Sequence, residues 1–125
     1  MKGPTRETCD LVDERDSQCC VRCGRSLASV SGSRHHRQLR RHGDHGAANL
    51  ILLCGSGTTG CHGLVHAKPK TAMHWGLIVS GYQDAAKVPL YRYDLHGWAL
   101  QAHDGTLTPL TLSEAEKLRD ELGMT

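Results

Sequence analysis

Two pairs of cysteines constrain this chain more than any other feature of its sequence. Cys20 and Cys23 are separated by two residues, and Gly24 directly after them supplies the backbone freedom that a tight turn needs. Cys54 and Cys61 form a second pair, with six residues between them. Four cysteines that lie in the sequence as two pairs are typical of a tetrahedral structural zinc site. We therefore predict that these four cysteines bind one Zn²⁺.

The two other cysteines leave one alternative open. Cys19 can replace Cys20 as a ligand, because a three-residue spacer also fits a zinc knuckle. Cys9, and Cys19 if it is not a ligand, are interpreted as free thiols. Only 38% of the 125 residues are hydrophobic and Phe is absent, which predicts one compact domain with a small core. A core of that size commonly needs a metal or disulfide for stability, so the composition favours a zinc site.

The N-terminal sequence is charged from its first residues, and no apolar run approaches the roughly 18 residues of a membrane span. We therefore expect no signal peptide, no membrane segment and a cytoplasmic location. In that reducing compartment paired cysteines bind metal more often than they form disulfides.

The histidines form a second pattern next to the cysteines. His35 and His36 are adjacent, so in an extended segment they would point to opposite faces. His62 and His66 are four residues apart in a predicted helix over 61–67, which places both imidazoles on one face, as in bidentate metal sites. Cys61 is about 100° away from His62 around that helix, so one helix can serve two metal ions. The remaining histidines are interpreted as surface residues: His42, His45, His74, His96 and His103.

Positive charge is concentrated in the same part of the chain. Residues 20–70 contain eight basic residues and one acidic residue, whereas residues 1–19 sum to −2 and residues 71–125 to −3. Clustered cations favour a polyanionic partner, and a solvated basic surface is the alternative. No Phe, Tyr or Trp lies within 20–70, so no base-stacking platform is expected and double-stranded DNA is the predicted partner. The predicted phosphate contacts are Arg34, Arg37, Arg40, Arg41, Lys68 and Lys70.

The sequence predicts that the chain is organised as an N-terminal arm, a core and a C-terminal extension. Residues 1–18 form an N-terminal arm, either a short helix or a loose segment. Residues 19–70 form the core, with an extended segment over 46–54. Residues 71–125 form an extension of strands and a helix packed on that core.

Within this extension the alternation of apolar residues and the turn signals predict several elements. Strands are expected at Gly76–Ser80, Val88–Tyr93 and Trp98–His103, with a hairpin turn at Asp104-Gly105. A capping box at 113–116, which begins with Ser113, predicts a terminal helix to about Leu122.

One combination of motifs resembles a known family. The order His35-His36, then Asn49-Leu50, then Cys61-His62-x-x-x-His66 resembles the HNH, or ββα-metal, endonucleases. The resemblance covers residues 19–70 and is closest to the small zinc-containing HNH proteins of bacteriophages and bacteria. The GSGTTG spacer between the second pair of cysteines is longer than the shortest family pattern. The resemblance implies an α+β fold in which a ββα-metal core is stapled by a zinc site of four cysteines, with a C-terminal β-hairpin and helix.

The resemblance also implies a role for each residue of the motif. His36 would be the general base, and Asn49 would tie down the loop that orients it. His35, His62 and His66 would hold one catalytic divalent metal, namely Mg²⁺, Mn²⁺, Ni²⁺ or Zn²⁺, and an all-imidazole shell favours a transition metal.

The implied activity is weakly specific hydrolysis of phosphodiester bonds in double-stranded DNA. For a phage-encoded chain it implies a role in genome processing or packaging in the host cytoplasm, beside a DNA-packaging partner protein. The alternative is a non-catalytic zinc-knuckle module that binds nucleic acid or protein. That alternative leaves the histidines and Asn49 unexplained.

Overall fold

The computed structural model describes residues 3–39 and 45–124, which form a small structure of helices and two antiparallel sheets. Its α+β class agrees with the prediction. Single 3-10 turns, at Ala47–Asn49 and Ala85–Lys87, precede β2 and β3. In the described ranges no helix is both long and apolar enough to cross a membrane. The elements are α1 (Arg6–Arg15), β1 (Gly32–His36), β2 (Leu50–Cys54), α2 (Gly60–Ala67), α3 (Pro69–His74), β3 (Leu90–Arg92), β4 (Gly97–Gln101), β5 (Leu107–Pro109) and α4 (Leu112–Glu121).

The first sheet, β1 paired with β2, lies at the centre of the molecule. All five residues of β2 are buried, because apolar side chains leave the strand on both faces. Ile51 and Leu53 pack in one core cluster with Val65 of α2. Leu50 and Leu52 pack in a second cluster that includes Val12 of α1. Of the two alternatives for the N-terminal arm, the helix is therefore the one that forms, since its buried face covers β2.

Two helices follow the first sheet. The helix predicted over 61–67 is confirmed as α2, which begins one residue earlier at Gly60. Pro69 follows α2 and occupies the first turn of α3. That position tolerates proline, since the N–H that proline lacks would have no partner within the helix.

The strand predicted at Gly76–Ser80 is wrong. The carbonyl of Gly76 accepts a hydrogen bond from the Arg37 guanidinium (2.9 Å), and the carbonyl of Leu77 lies 2.9 Å from Nε2 of His35. The Val79 N–H donates to the Arg37 carbonyl at 2.8 Å. Because the carbonyls of Gly76 and Leu77 bond to side chains, the segment runs beside the end of β1 without pairing as a strand.

The other two predicted strands are confirmed in the second sheet, as β3 and β4. β3 is shorter than predicted at both ends, whereas β4 begins one residue earlier and ends two residues earlier. The hairpin predicted at Asp104-Gly105 connects β4 to β5, and Gly105 has the positive φ (+91°) that such a turn favours.

The capping box of the terminal helix begins two residues earlier than predicted. Thr111 is the N-cap: its side chain accepts from the Glu114 N–H, and the Glu114 carboxylate accepts from the Thr111 N–H. The prediction that Ser113 caps this helix is wrong, because Thr111 and Glu114 have the same spacing and form the box instead.

The prediction that Arg37 contacts phosphate is also wrong. Its side chain is 1% exposed and donates to four backbone carbonyls at 2.9 to 3.1 Å. Burial lowers the pKa of Arg37, and carbonyl acceptors inside the protein take four of the five N–H groups of its guanidinium. The four carbonyls belong to Ala48, Gly76, Ala85 and Val88.

We expect Arg37→Met to lower the free energy of unfolding by about 3 kcal/mol or more, because it leaves buried carbonyls without donors. Arg34→Met is the matched control, since Arg34 forms a partly exposed ion pair with Asp13 and should contribute less than about 1 kcal/mol. Urea unfolding of both zinc-loaded variants measures the difference. Equal losses in the two variants would contradict the structural role of Arg37.

Candidate functional site

The four predicted zinc ligands lie together in the structure. Their Sγ atoms are all within 4.8 Å of one another, and Sγ of Cys23 is 3.7 Å from Sγ of Cys54. A tetrahedral zinc site with Zn–S bonds of about 2.3 Å places its sulfur atoms about 3.8 Å apart, so this cluster has room for such an ion. Cys20 is in the cluster and Cys19 is not, which decides between the two alternatives.

The wide spacing of the second pair has a structural reason. Cys54 ends β2 and Cys61 lies in the first turn of α2, so the spacer must reverse the chain between a strand and a helix. Gly55 and Gly60 have positive φ angles of +86° and +62°, and a Cβ on either would collide with the backbone of the loop. These two glycines allow the GSGTTG loop to close, which brings Cys54 and Cys61 together.

Hydrogen bonds around the cluster favour thiolates. Nη1 of Arg22 donates to Sγ of Cys61 at 3.4 Å, and the Cys61 N–H donates to Sγ of Cys54 at 3.4 Å. Burial raises the pKa of Cys20 and of Cys61. Burial acts the same way on Cys54, but hydrogen bonds from Cys61 and the neighbouring thiols outweigh it and lower the pKa of Cys54. A bound cation would deprotonate the remaining thiols, so the cluster could hold a metal ion and is compatible with structural zinc.

Three of the predicted histidines form a second cluster. His35, His62 and His66 each place a ring nitrogen within 4.8 Å of the other two. His62 and His66 lie on one face of α2, and His35 reaches them from β1 with only 5% of its surface exposed. Burial lowers the pKa of His35 to about 4 and also lowers the pKa of His62, so both are neutral at neutral pH. Neutral imidazole is the form that binds a metal ion.

Hydrogen bonds orient two of the three imidazole rings, those of His35 and His62. Nε2 of His35 lies 2.9 Å from the Leu77 carbonyl, which can only accept, so this nitrogen carries the proton and Nδ1 keeps its lone pair. Nδ1 of His62 lies 2.6 Å from Oγ of Ser33, which leaves Nε2 of His62 for another partner. Histidines that bind metals usually have such a second hydrogen bond. The geometry therefore fits a metal held by three imidazoles.

A cleft of about 290 Å³ adjoins the histidine cluster. His36 lines it together with Arg34, Leu39 and Ile78. Nε2 of His36 is 3.0 Å from Nδ1 of His45, which was predicted to be a surface histidine. No spacing rule relates residues 36 and 45, so only the folded chain reveals this contact.

Asn49 lies where it can hold the segment after His36. Its side chain is 1% exposed; Oδ1 accepts from the Gln38 N–H at 2.8 Å, and Nδ2 donates to the Gln38 carbonyl at 3.3 Å. The side-chain amide thus ties the backbone two residues beyond His36 to the turn before β2. Its effect on a general base stays a prediction.

The predicted phosphate contacts do not share one face among the described residues. Arg34 lines the cleft and pairs with Asp13. Lys68 and Lys70 are exposed and line two other grooves, one with Trp75 and one with Leu122. Two of the predicted contacts, Arg40 and Arg41, lie outside the described residues, as does His42.

Comparison of the chain with protein-family models, with curated proteins and with solved structures finds no match. The site is therefore interpreted from its own chemistry. Four sulfur ligands complete a closed tetrahedral metal site, whereas three imidazoles beside a cleft leave coordination positions open. The first arrangement suits a structural ion and the second suits a reactive one.

We expect purified protein to keep one tightly bound zinc, because a structural site contributes folding free energy on the order of 10 kcal/mol in zinc-finger peptides. Cys61→Ser should lose this zinc and unfold. Cys19→Ser is the matched control, since Cys19 lies outside the cluster, and it should keep the metal and the melting temperature. Elemental analysis after extensive dialysis, together with thermal unfolding, measures both. Zinc retained by Cys61→Ser, or lost equally from Cys19→Ser, would contradict the assignment.

Proposed function

We propose that this chain is a metal-dependent endonuclease of the HNH type that hydrolyses phosphodiester bonds in double-stranded DNA. The observation that carries the proposal is the cluster of His35, His62 and His66, with His36 on the wall of the adjoining cleft. The order of elements supports it, because β1 and β2 form an antiparallel pair and α2 follows directly. The HNH resemblance implies the same order of strands and helix.

The three imidazoles are suited to a divalent metal of the transition series. When bound there, such an ion would neutralise negative charge on the scissile phosphate and on the leaving oxygen. Hydrogen bonds with the Leu77 carbonyl and the Ser33 hydroxyl orient the rings of His35 and His62. Burial lowers the pKa of His35 and keeps its imidazole neutral.

His36 is the proposed general base. An imidazole can take a proton from water near neutral pH, as the water oxygen bonds to phosphorus and one P–O ester bond breaks. His45, 3.0 Å from His36, restricts the rotation of the ring, and Asn49 restrains the backbone that follows. Arg34 at the cleft supplies a partly exposed cation for the substrate phosphate.

The cysteine cluster supports the same proposal from the other side of α2. Cys61 immediately precedes His62, so an ion held by the four cysteines would anchor the first turn of the helix that carries two proposed catalytic ligands. Structural zinc would then determine the position of the histidine site.

A non-catalytic zinc module that binds nucleic acid or protein is the second candidate. One observation favours it: a groove lined by Trp75, Arg22 and Lys68 lies beside the cysteine cluster, where Arg22 contacts Cys61. The two candidates differ in what they require of the histidines, because a binding module needs no proton acceptor at His36.

We expect His36→Ala to lower the rate of nicking of a supercoiled plasmid by about 100-fold or more, because a general base contributes typically about 10²–10⁴-fold. Zinc content and thermal unfolding should match the wild type. The matched control is His103→Ala, an exposed histidine outside the cleft, which should nick normally. The assay is run with added Mg²⁺, Mn²⁺, Ni²⁺ or Zn²⁺.

Normal nicking by His36→Ala would contradict the assigned role. Absence of nicking by wild-type protein with all four metals would favour the binding module instead.

A further inference from the structure

A second groove lies on the other side of α2 from the histidine cluster. It consists of two adjoining pockets of about 200 and 280 Å³ that share Arg22, Trp75 and Leu77 as lining residues. Leu64 and Lys68 also line it, and Leu64 is about 200° around the helix from His62. The groove is therefore separate from the proposed catalytic cleft.

Trp75 is a rigidly supported aromatic surface in this groove. Trp98 stacks on it, with ring centroids 5.7 Å apart and an angle of 12° between the planes, and Tyr91 packs against it at 5.3 Å. Trp98 is itself buried beneath the Arg119 guanidinium, which lies 4.1 Å from its ring centroid. Trp75 nevertheless remains 40% exposed, so part of the indole is available to a ligand.

The charge of the groove restricts the chemistry of that ligand. Arg22 and Lys68 are exposed cations, and the residues that line the two pockets include no Asp or Glu. An apolar ligand would leave both cations unused, and an acidic peptide would leave the flat indole unused. A strand of nucleotides supplies a planar base for Trp75 and phosphates for the cations, which is the combination that single-strand-binding proteins use.

We propose that this groove binds single-stranded nucleic acid, with a base stacked on Trp75 and phosphates near Arg22 and Lys68. The proposal concerns binding alone and does not depend on cleavage at the histidines. The chain would then bind a single strand in this groove and a duplex at the histidine cleft, on opposite sides of α2.

Binding is measured with the zinc-loaded His36→Ala chain and no added divalent metal, so that failure of nuclease activity cannot affect the result. The probes are a short deoxythymidine oligomer, an abasic oligomer of equal length, a uridine oligomer and an acidic peptide. We expect the thymidine oligomer to quench tryptophan fluorescence and to bind at least about tenfold more tightly than the abasic strand. The uridine oligomer determines whether the groove distinguishes RNA from DNA.

Variants then locate the contact. Trp75→Leu should weaken binding about tenfold and abolish the quenching, because Trp98, the other tryptophan of the chain, is buried. Trp75→Phe, which retains an aromatic face, should stay within about threefold of the parent. Tyr82→Leu is the matched control, since Tyr82 is fully exposed and does not line the groove, and it should bind unchanged.

Lys68→Gln tests the phosphate contact without disturbing Arg22, which also bonds to Cys61. It should reduce the slope of log affinity against log salt by about 0.7, the value for one phosphate contact on a single strand.

Three results would overturn the proposal: equal binding of the abasic oligomer, parental affinity in folded Trp75→Leu, or equally tight binding of the acidic peptide. The comparison of the abasic and thymidine strands needs no groove variant, so it decides the question even if Trp75→Leu fails to fold.

Discussion

The buried guanidinium of Arg37 joins the two parts of the chain that build the candidate active site. One of its bonds goes to Ala48, just before β2, and the others go to Gly76, Ala85 and Val88. The 76–88 segment also contains Leu77, whose carbonyl orients the imidazole of His35. A buried cation without acceptors is strongly destabilising, so the fold is held to the arrangement in which these carbonyls converge. The position of the histidine cluster depends on that arrangement.

Helix α2 is the other element on which the site depends. It is only eight residues long, yet Cys61 belongs to the cysteine cluster and His62 and His66 belong to the histidine cluster. The step of about 100° between neighbouring helical residues separates the two sets of ligands without a longer element. The remaining face carries Leu64 toward the groove of Trp75, so a single short helix contributes to three surfaces.

The parts of this molecule that were predictable from sequence depend on local geometry. The spacing of His62 and His66, and the offset of Cys61 from them, follow from helical periodicity, and the turn at Gly105 follows from its dipeptide. What sequence could not supply depends on residues that are distant along the chain. Arg37 contributes to a count of positive charge, but no pattern shows that four carbonyls surround it. The contact between His36 and His45, and the approach of Trp75 to Arg22, likewise arise only when the chain folds. Residues 20–70 contain no Phe, Tyr or Trp, so they predict no stacking platform. Trp75 lies just beyond that range and lines a groove together with Arg22 and Lys68.

The claim that one helix carries ligands for two different metal ions is tested most directly by anomalous diffraction. Crystals of the zinc-loaded chain are soaked in Ni²⁺, and data are collected on both sides of the zinc and nickel absorption edges. We predict a zinc peak enclosed by the four Sγ atoms and a nickel peak bonded to Nδ1 of His35, Nε2 of His62 and the ring of His66. A nickel peak elsewhere with none at the histidines, or a cysteine cluster without zinc, would contradict the two-metal arrangement.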